Sequence, residues 1–228
     1  MENEAPSSFK KTLQLISIEV LVVSILFIVS LFVFALIAKG VVTGNEDTFD
    51  NEVFNFFNQF TSPGFITAMK FFTFLGSVEF LIPAYIILIA FFVIKKLSTY
   101  TIDIIAIALS STALIFILKY FFHRSRPTLP IIRTFSTYSF PSGHMLSSFV
   151  FCSILAFIVI KSPLKTFYKW IISVLLFFFA ITIGISRIVL KAHFPTDVIA
   201  SLCLGIVWVI GSFYILKRID REYITKKK

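Results

Sequence analysis

Three short polar segments stand out in a chain that is otherwise mostly apolar. They are Lys119–Pro127 (KYFFHRSRP), Pro141–His144 (PSGH) and Ser186–Asp197 (SRIVLKAHFPTD), and each lies where an apolar run begins or ends. Charged groups at membrane depth are costly and therefore mark functional sites. Together the segments hold cations, imidazoles and a carboxylate, a combination suited to binding a phosphate ester and breaking it.

The third segment pairs a histidine with a carboxylate. Pro195, which lies between His193 and Asp197, favours the first turn of a helix. The Asp197 carboxylate can then reach the His193 ring, fix its tautomer and leave the other ring nitrogen able to attack. In the structural alternative, Asp197 caps its own helix and His193 is an interfacial side chain. That alternative leaves Arg187, on the same connection, without a purpose.

Lys119, Arg126 and Arg187 supply fixed positive charge. Arginine matches two phosphate oxygens at once and lysine acts as a point charge, so both stabilise the charge of a phosphoryl-transfer transition state. Snorkelling at the end of a span is an alternative for Lys119 but a poor one for all three cations. Arg124 and Arg133 lack a comparable argument, and we interpret them as surface charges.

The second segment, Pro141–His144, predicts the start of a helix. Gly143 lets the backbone approach a ligand closely, and the first N–H groups of a helix bind anions. Ser142 can either cap the helix or donate its hydroxyl to a phosphate oxygen. From the tetrapeptide alone, a plain helix start and an anion site are both open.

A metal site is the chemical rival, because His123, His144, His193 and Asp197 could act as ligands. The neighbouring cations would repel a divalent ion and attract an anion. The sequence also has no HExxH pattern. We therefore expect no metal and no other cofactor, and we interpret His123 as a bystander of the basic loop.

The composition places these segments in a membrane protein. Of the 228 residues 57% are hydrophobic and 14% are charged, against about 45–50% and about 25% in soluble domains. Lipid-exposed spans must satisfy their own backbone hydrogen bonds, so the apolar runs are expected to be helices. We predict an all-α integral membrane protein, a bundle of six transmembrane helices forming one domain over residues 1–228, with its motifs within 119–197. The predicted spans are Leu13–Ala38, one within Ser77–Ile94, Thr101–Phe122, His144–Ile160, Trp170–Val189 and Pro195–Leu216.

The stretch Lys39–Lys70, which follows the first span, has a different pattern. Acidic residues, including Asp50 and Glu52, precede phenylalanines at mixed three- and four-residue spacing. This pattern predicts an amphipathic helix in the membrane interface, followed by a turn at Pro63–Gly64. An ordinary extracellular loop is the alternative.

The distribution of Lys and Arg predicts the orientation. Thirteen of the 21 lie in the N-terminal segment, the loops after the second and fourth spans, and the C-terminal tail. Positive charge stays cytoplasmic. Both termini are therefore expected on the cytoplasmic side of the plasma membrane, and the three polar segments on its outer face. Nucleic-acid binding is not expected, because the basic residues are split between the two faces.

The three segments resemble the signature motifs of the type 2 phosphatidic acid phosphatase superfamily, bacterial membrane branch. Lys119-x6-Arg126-Pro127, Pro141-Ser142-Gly143-His144 and Ser186-Arg187-x5-His193-x3-Asp197 fill every signature position.

The resemblance implies a role for each signature residue. His193 would attack phosphorus to form a phosphohistidine, Asp197 would orient it, and His144 would protonate the leaving oxygen and then activate water. The phosphate oxygens would be held by Lys119, Arg126, Ser142, Gly143 and Arg187. No metal requirement is implied.

Two functions remain open from the sequence. One is a membrane lipid phosphatase acting on undecaprenyl diphosphate, phosphatidylglycerol phosphate or phosphatidic acid. The other is a non-catalytic binder or transporter of anionic lipid head groups. No obligate protein partner is evident beyond substrate and membrane lipids. Glu19, Glu79 and Asp103 lie in or near spans, and we interpret them as packing or interfacial residues.

Overall fold

The structure is a computed structural model that describes residues 7–44, 47–132 and 137–226, with side chains described for 18–44, 48–132 and 137–216. Arg133, which the sequence analysis assigned to the surface, lies outside the described residues. Within them the regular secondary structure is entirely helical, which confirms the predicted all-α class. The helices are α1 (Ser7–Thr43), α2 (Asp47–Phe57), α3 (Pro63–Leu75), α4 (Val78–Ile94), α5 (Ser98–Phe122), α6 (Gly143–Lys161), α7 (Thr166–Val189) and α8 (Pro195–Lys226).

Five of the described helices are long and apolar enough to cross a membrane by themselves: α1 over Ile18–Thr43, α5, α6, α7 and α8 over Pro195–Leu216. A sixth span forms if α3 and α4, which meet at a bend of 45°, are taken together. The prediction for the second span was therefore incomplete. Helix α4 has 17 residues, about 25 Å of helix, which is short of the hydrocarbon thickness of about 30 Å. Joined with α3, it is long and apolar enough to cross.

Most of the described part of Lys39–Lys70 is helical, so it is not simply a loop, but its boundaries differ from the prediction. Helix α1 continues to Thr43, so Lys39 belongs to it. The predicted turn at Pro63–Gly64 is wrong, because Pro63 begins α3. A proline suits that first position, where its missing N–H costs nothing, and the Ser62 hydroxyl caps the helix by accepting from the Phe65 N–H.

Helix α2 is amphipathic, as predicted. Its apolar side chains Val53, Phe54 and Phe57 pack against a core cluster built from α6, α7 and α8. The apolar face of α2 is therefore directed at the bundle. This packing holds α2 over the ends of α7 and α8.

Helix α6 lies at the centre of the bundle. Leu146, Val150 and Ile154 form one core cluster with side chains of α4, α5 and α8. Met145 and Phe149 form a second cluster with side chains of α7 and α8. Because α6 is packed on several sides, its N-terminus is fixed relative to every element that carries a polar segment.

Gly184 allows α7 to lie close against α6 and α8. A Cβ atom at this position would collide with Met145 and would lie 2.9 Å from Val198 Cγ1. The glycine is therefore required by helix packing, and it lies three residues before Arg187. Packing at this position thus sets the position of a predicted phosphate-binding residue.

We expect Gly184→Ala to destabilise the bundle. Overpacking of a close contact typically costs about 1–3 kcal/mol. The matched control is Gly211→Ala on α8, where a Cβ would meet nothing within 4 Å. Equilibrium unfolding in detergent micelles measures both variants. Equal free energies of unfolding for the two variants would contradict the close approach at Gly184.

Candidate active site

The three polar segments meet at one end of the bundle. The first follows α5, the second opens α6, and the third connects α7 to α8. Backbone hydrogen bonds join them: the Ser142 N–H donates to the Asp197 carbonyl at 3.4 Å, and the Ser139 N–H donates to the Arg124 carbonyl at 2.8 Å. The packing of α5 to α8 therefore brings residues far apart in sequence into one site.

A cavity of about 290 Å³ lies where the segments meet. Six of the eight predicted site residues line it, namely Lys119, Arg126, Gly143, His144, Arg187 and His193. The other two, Ser142 and Asp197, are completely buried. Ser142 precedes Gly143 in the chain, and Asp197 contacts the His193 ring.

Each nitrogen of the His193 ring has a defined neighbour. Nδ1 lies 3.2 Å from Asp197 Oδ2, and Nε2 lies 3.2 Å from the Arg126 guanidinium. A guanidinium only donates hydrogen bonds, so Nε2 is the acceptor nitrogen and Nδ1 carries the proton that Asp197 accepts. The lone pair of the neutral ring is therefore on Nε2.

Burial keeps this imidazole neutral. His193 is 1% exposed, and desolvation lowers the pKa of its imidazolium to about 3. The hydrogen bond and charge of Asp197 oppose that change, whereas the cations Arg187 and Arg126 add to it. A neutral ring retains its lone pair, as a nucleophile requires.

Asp197 both caps its helix and binds the histidine. Oδ2 accepts from the Phe194 N–H at 3.0 Å, and the Ser139 hydroxyl also donates to this oxygen. The first of these bonds is a cap of α8 in which a side chain in the first turn reaches back to the preceding N–H. Asp197 therefore makes both contacts that the sequence analysis treated as alternatives, the cap of α8 and the hydrogen bond to the His193 ring.

Backbone carbonyls and hydroxyls fix the three predicted cations. Lys119 Nζ donates to the carbonyl oxygens of Tyr138 and Ser139, at 2.5 and 3.3 Å. Arg126 donates to the Thr137 carbonyl and the Ala192 carbonyl, both at 2.8 Å. Because these acceptors are neutral, the cations keep their net positive charge for an anion.

One nitrogen of the Arg187 guanidinium makes no hydrogen bond within the described residues. Its terminal NH1 donates to the Thr73 hydroxyl at 2.5 Å, but Nε is buried without a hydrogen-bond partner among the described residues. The Ser142 Oγ is also buried without such a partner, and it makes no capping bond to α6. Buried polar atoms normally have partners, so an unpartnered donor on a lining residue, Arg187, and another on the residue before the lining Gly143 are consistent with a place for an oxyanion.

The start of α6 forms the wall of the cavity. A Cβ added at Gly143 would make only ordinary contact with Ile115, at 3.7 Å. Protein packing alone therefore does not require a glycine here, and the absence of a side chain leaves the backbone open to the cavity. Free N–H groups and the positive end of the helix dipole then face it.

Arg124 is a site residue, and its interpretation as a surface charge was wrong. Its guanidinium donates to Asp197 Oδ1 at 2.6 Å and to Asp50 Oδ2 at 2.7 Å. The side chain is 12% exposed. Two buried carboxylates need a counter-charge, and the packing of α2 brings both within reach of Arg124.

Asp50, Thr73 and Ser139 contact the predicted site residues but were not predicted themselves. Asp50 had a sequence signal, because it precedes Phe54 and Phe57 by four and seven residues and so shares their buried face of α2. Thr73 and Ser139 had none. Their neighbours in sequence do not include the residues that they contact.

Glu79 lines the cavity beside the cations, a position that the sequence analysis did not predict.

His123 is exposed at the end of α5, and the centre of its ring lies 4.4 Å from that of Tyr138. Across the described part of the chain, no group of three or more His, Cys, Asp or Glu is arranged to hold a metal ion.

The chain is similar to known proteins in sequence and in fold. The family model of the PAP2 superfamily matches residues 100–221. Phosphatidylglycerophosphatase B of Bacillus subtilis (strain 168) is 27% identical over 196 residues, which are 85% of this chain and 95% of that protein.

Two crystal structures are similar. The transmembrane PAP2-type phosphatidylglycerolphosphate phosphatase from Bacillus subtilis matches with a TM-score of 0.72 and 25% identity, over 86% of this chain and 96% of the other. Aquifex aeolicus LpxE matches with a TM-score of 0.60 and 28% identity, over 74% of this chain and 98% of the other. The motifs, the bundle and these similarities agree, and the chain belongs to the PAP2 superfamily as a membrane lipid phosphatase.

Proposed function

We propose that this enzyme hydrolyses a lipid phosphate through a phosphohistidine formed on Nε2 of His193. One observation carries the proposal: a neutral imidazole, anchored at Nδ1 by Asp197, presents its Nε2 lone pair at a cavity that Lys119, Arg126 and Arg187 also line. Cations bind the phosphate, and an adjacent nucleophile breaks its ester bond.

In the first step, the Nε2 lone pair forms a bond to phosphorus and the bond from phosphorus to the lipid oxygen breaks. The electron pair of that bond goes to the leaving oxygen, which takes a proton from His144. The developing imidazolium of His193 is stabilised by the Asp197 carboxylate. His144 lines the same cavity, which places it within the site where the leaving oxygen would lie.

In the second step, His144 takes a proton from a water molecule, whose oxygen attacks phosphorus. The bond between phosphorus and Nε2 breaks, and its electron pair returns to the ring. Inorganic phosphate leaves, and His193 is again neutral. The two steps leave both histidines as they began, and no metal or cofactor takes part in the proposal.

The phosphate oxygens bind the cations and the two unpartnered donors. Arg187 Nε and Ser142 Oγ donate to them, together with backbone N–H groups at Gly143. Donors that are already oriented cost little reorganisation when negative charge develops. Lys119 and Arg126 would complete the oxyanion site.

The cavity supports a lipid substrate. Beyond the cations it continues between α4 and α5, where Leu81, Ile115 and Phe116 line it. A phosphate head group can bind the charged end while the first part of an apolar tail follows this wall. Phosphatidylglycerol phosphate, phosphatidic acid and undecaprenyl diphosphate all share this chemistry, and the Bacillus subtilis relative is named for the first of them.

The lysine and arginine distribution supports an orientation with the site on the outer face of the plasma membrane and both termini cytoplasmic. This orientation is part of the proposal. The substrate would then enter from the outer leaflet.

We expect purified protein to release phosphate from at least one of these three lipids in the presence of EDTA. His193→Ala should abolish release, because no other nucleophile replaces Nε2, while binding of the lipid to the cations persists. Phosphate release and lipid binding in mixed micelles measure the two properties. Lipid binding without phosphate release by the unmodified protein would show a binder and not an enzyme.

We expect His144→Ala to affect the three lipids unequally. A phosphate monoester leaves as an alkoxide and needs a proton, whereas a diphosphate leaves as phosphate and needs it much less. In the first turnover, the variant should therefore release lipid from phosphatidic acid about 10²–10⁴-fold more slowly, with a much smaller loss on undecaprenyl diphosphate. Rapid-quench assay of the lipid product isolates this step. Equal losses would contradict the role of His144 as the acid.

We expect the His193 ring to stay neutral from pH 8 to pH 5, since burial lowers its pKa to about 3. The neutral form predominates above the pKa, so no protonation should occur in this window. Protein labelled with ¹⁵N-histidine gives signals from three rings, and the signal lost in His193→Gln identifies this one. A change to imidazolium shifts with a midpoint near 6.5 would contradict the effect of burial.

A further inference from the structure

A second carboxylate lies behind the His193–Asp197 pair. Asp50 of α2 is 1% exposed, although it lies outside all three polar segments of the sequence. Its Oδ1 accepts from the Thr196 N–H at 2.9 Å, and its Oδ2 accepts from the Thr196 hydroxyl at 2.8 Å. A buried acid is costly unless its oxygens are paired, and Asp50 is paired on both.

Arg124 joins this carboxylate to Asp197. One terminal nitrogen donates to Asp197 Oδ1 at 2.6 Å and to the Thr196 hydroxyl at 2.8 Å, and the other donates to Asp50 Oδ2 at 2.7 Å. The guanidinium also lies over the Phe194 ring, 4.1 Å from its centroid. A planar fork with several donors can hold two carboxylates in fixed directions, which an ammonium cannot do.

The contact with Arg124 determines which Asp197 oxygen faces His193. Arg124 engages Oδ1 of Asp197, so Oδ2 is the oxygen that accepts from His193 Nδ1. We propose that Asp50 and Arg124 are positioning residues, which hold the Asp197 carboxylate in the orientation and charge state that activate His193 for attack. This inference rests on the proposed phosphohistidine mechanism.

The two members contribute differently: Arg124 holds the Asp197 carboxylate by its hydrogen bond, and Asp50 holds Arg124 and adds negative charge. Asp50, Arg124 and Asp197 together carry a net charge of −1 beside an imidazole that becomes positive during attack. Removal of the Asp50 charge leaves this group neutral, so the developing imidazolium is stabilised less. It also weakens the hydrogen bond that one arm of Arg124 donates, because a neutral amide oxygen is a poorer acceptor than a carboxylate, and this loosens the hold of the guanidinium on Asp197.

Asp50 also has a structural role, because it accepts from the Thr196 N–H in the first turn of α8. Loss of stability alone would therefore not test the proposal. A structural defect lowers the fraction of folded enzyme, whereas a positioning defect lowers the rate at each folded site. The test must count active sites.

The test compares Asp50→Asn with Glu52→Gln, which removes the same charge from an exposed residue of the same helix. The probe is ³²P-labelled phosphatidic acid, or the lipid of the panel that the unmodified protein hydrolyses. The stoichiometry of lipid binding in mixed micelles counts the folded active sites, and the rate of phosphoenzyme labelling measures the attack step. We expect Asp50→Asn to lower kcat per active site roughly 10–100-fold, the range for groups that orient another functional side chain, with KM changed less than about 2-fold. Glu52→Gln should match the unmodified protein.

A double-mutant cycle tests whether Asp50 acts through Arg124. Asp50→Asn should lower kcat strongly beside Arg124 and by a clearly smaller factor in Arg124→Gln, where the connection is already broken and only the direct effect of the Asp50 charge remains. Arg124→Lys should recover part of the rate lost in Arg124→Gln, because it restores the charge. If Asp50→Asn does not fold, Thr196→Val replaces it in both backgrounds, since it removes the hydroxyl that contacts both residues, and the same loss is expected.

The outcomes separate this inference from the proposed function. An unchanged kcat per active site in Asp50→Asn, a change confined to KM, or an equal effect in both backgrounds of the cycle would overturn the positioning role. If the unmodified protein hydrolyses lipid but forms no labelled histidine, the phosphohistidine mechanism fails and the inference fails with it. Normal phosphoenzyme formation in both the unmodified protein and Asp50→Asn overturns only the inference.

Discussion

A carboxylate buried at the end of an apolar bundle is the constraint on which the rest of this site depends. Asp197 is completely buried, and such a group is stable only where donors and a counter-charge surround it. Here His193, Arg124, Ser139 and the backbone at Phe194 supply them. Each of these donors comes from a segment that α5, α7 or α8 must bring to the same end of the bundle. The helix packing that brings these donors together therefore also stabilises the buried carboxylate and assembles the site.

The polar segments are supported by helices outside them. Helix α2 carries Asp50 to the first turn of α8, and α3 carries Thr73 to the guanidinium of Arg187. Both helices belong to the part of the chain between the first span and α4, which looks peripheral in sequence. Their apolar faces pack on the bundle, and that packing fixes the polar contacts. The site is thus supported by α2 and α3 as well as by the helices that carry the polar segments.

The cavity has a charged end and an apolar end. Its charged end gathers cations whose hydrogen bonds to backbone carbonyls leave their charge uncompensated. Its other end is apolar and lies between two spans. An anionic head group attached to a hydrocarbon tail is complementary to both ends, whereas a small soluble phosphate ester would use only one. The resemblance to phosphatases of membrane lipids is consistent with this shape.

The sequence by itself determined the fold class, the number of spans to within the broken one, and the eight residues gathered around the cavity. Hydrophobic length identifies membrane helices because the bilayer thickness is fixed. The motif residues were recognisable because charges between apolar runs are rare. The joining of α3 to α4 was missed because the acidic residues in Lys39–Lys70 indicated an interfacial segment, so composition gave no reason to extend the second span back through α3.

Only the tertiary structure decided the environment of Arg124 and the presence of Asp50, Thr73 and Ser139 beside the predicted residues. The contact between Asp50 and Arg124 joins residues 74 positions apart, and no local pattern encodes such a distance. Arg124 looked like a surface charge because an arginine in a basic loop has the same local sequence whether it meets water or a buried carboxylate. Long-range packing chooses between these two environments, since it alone determines which groups are removed from water together.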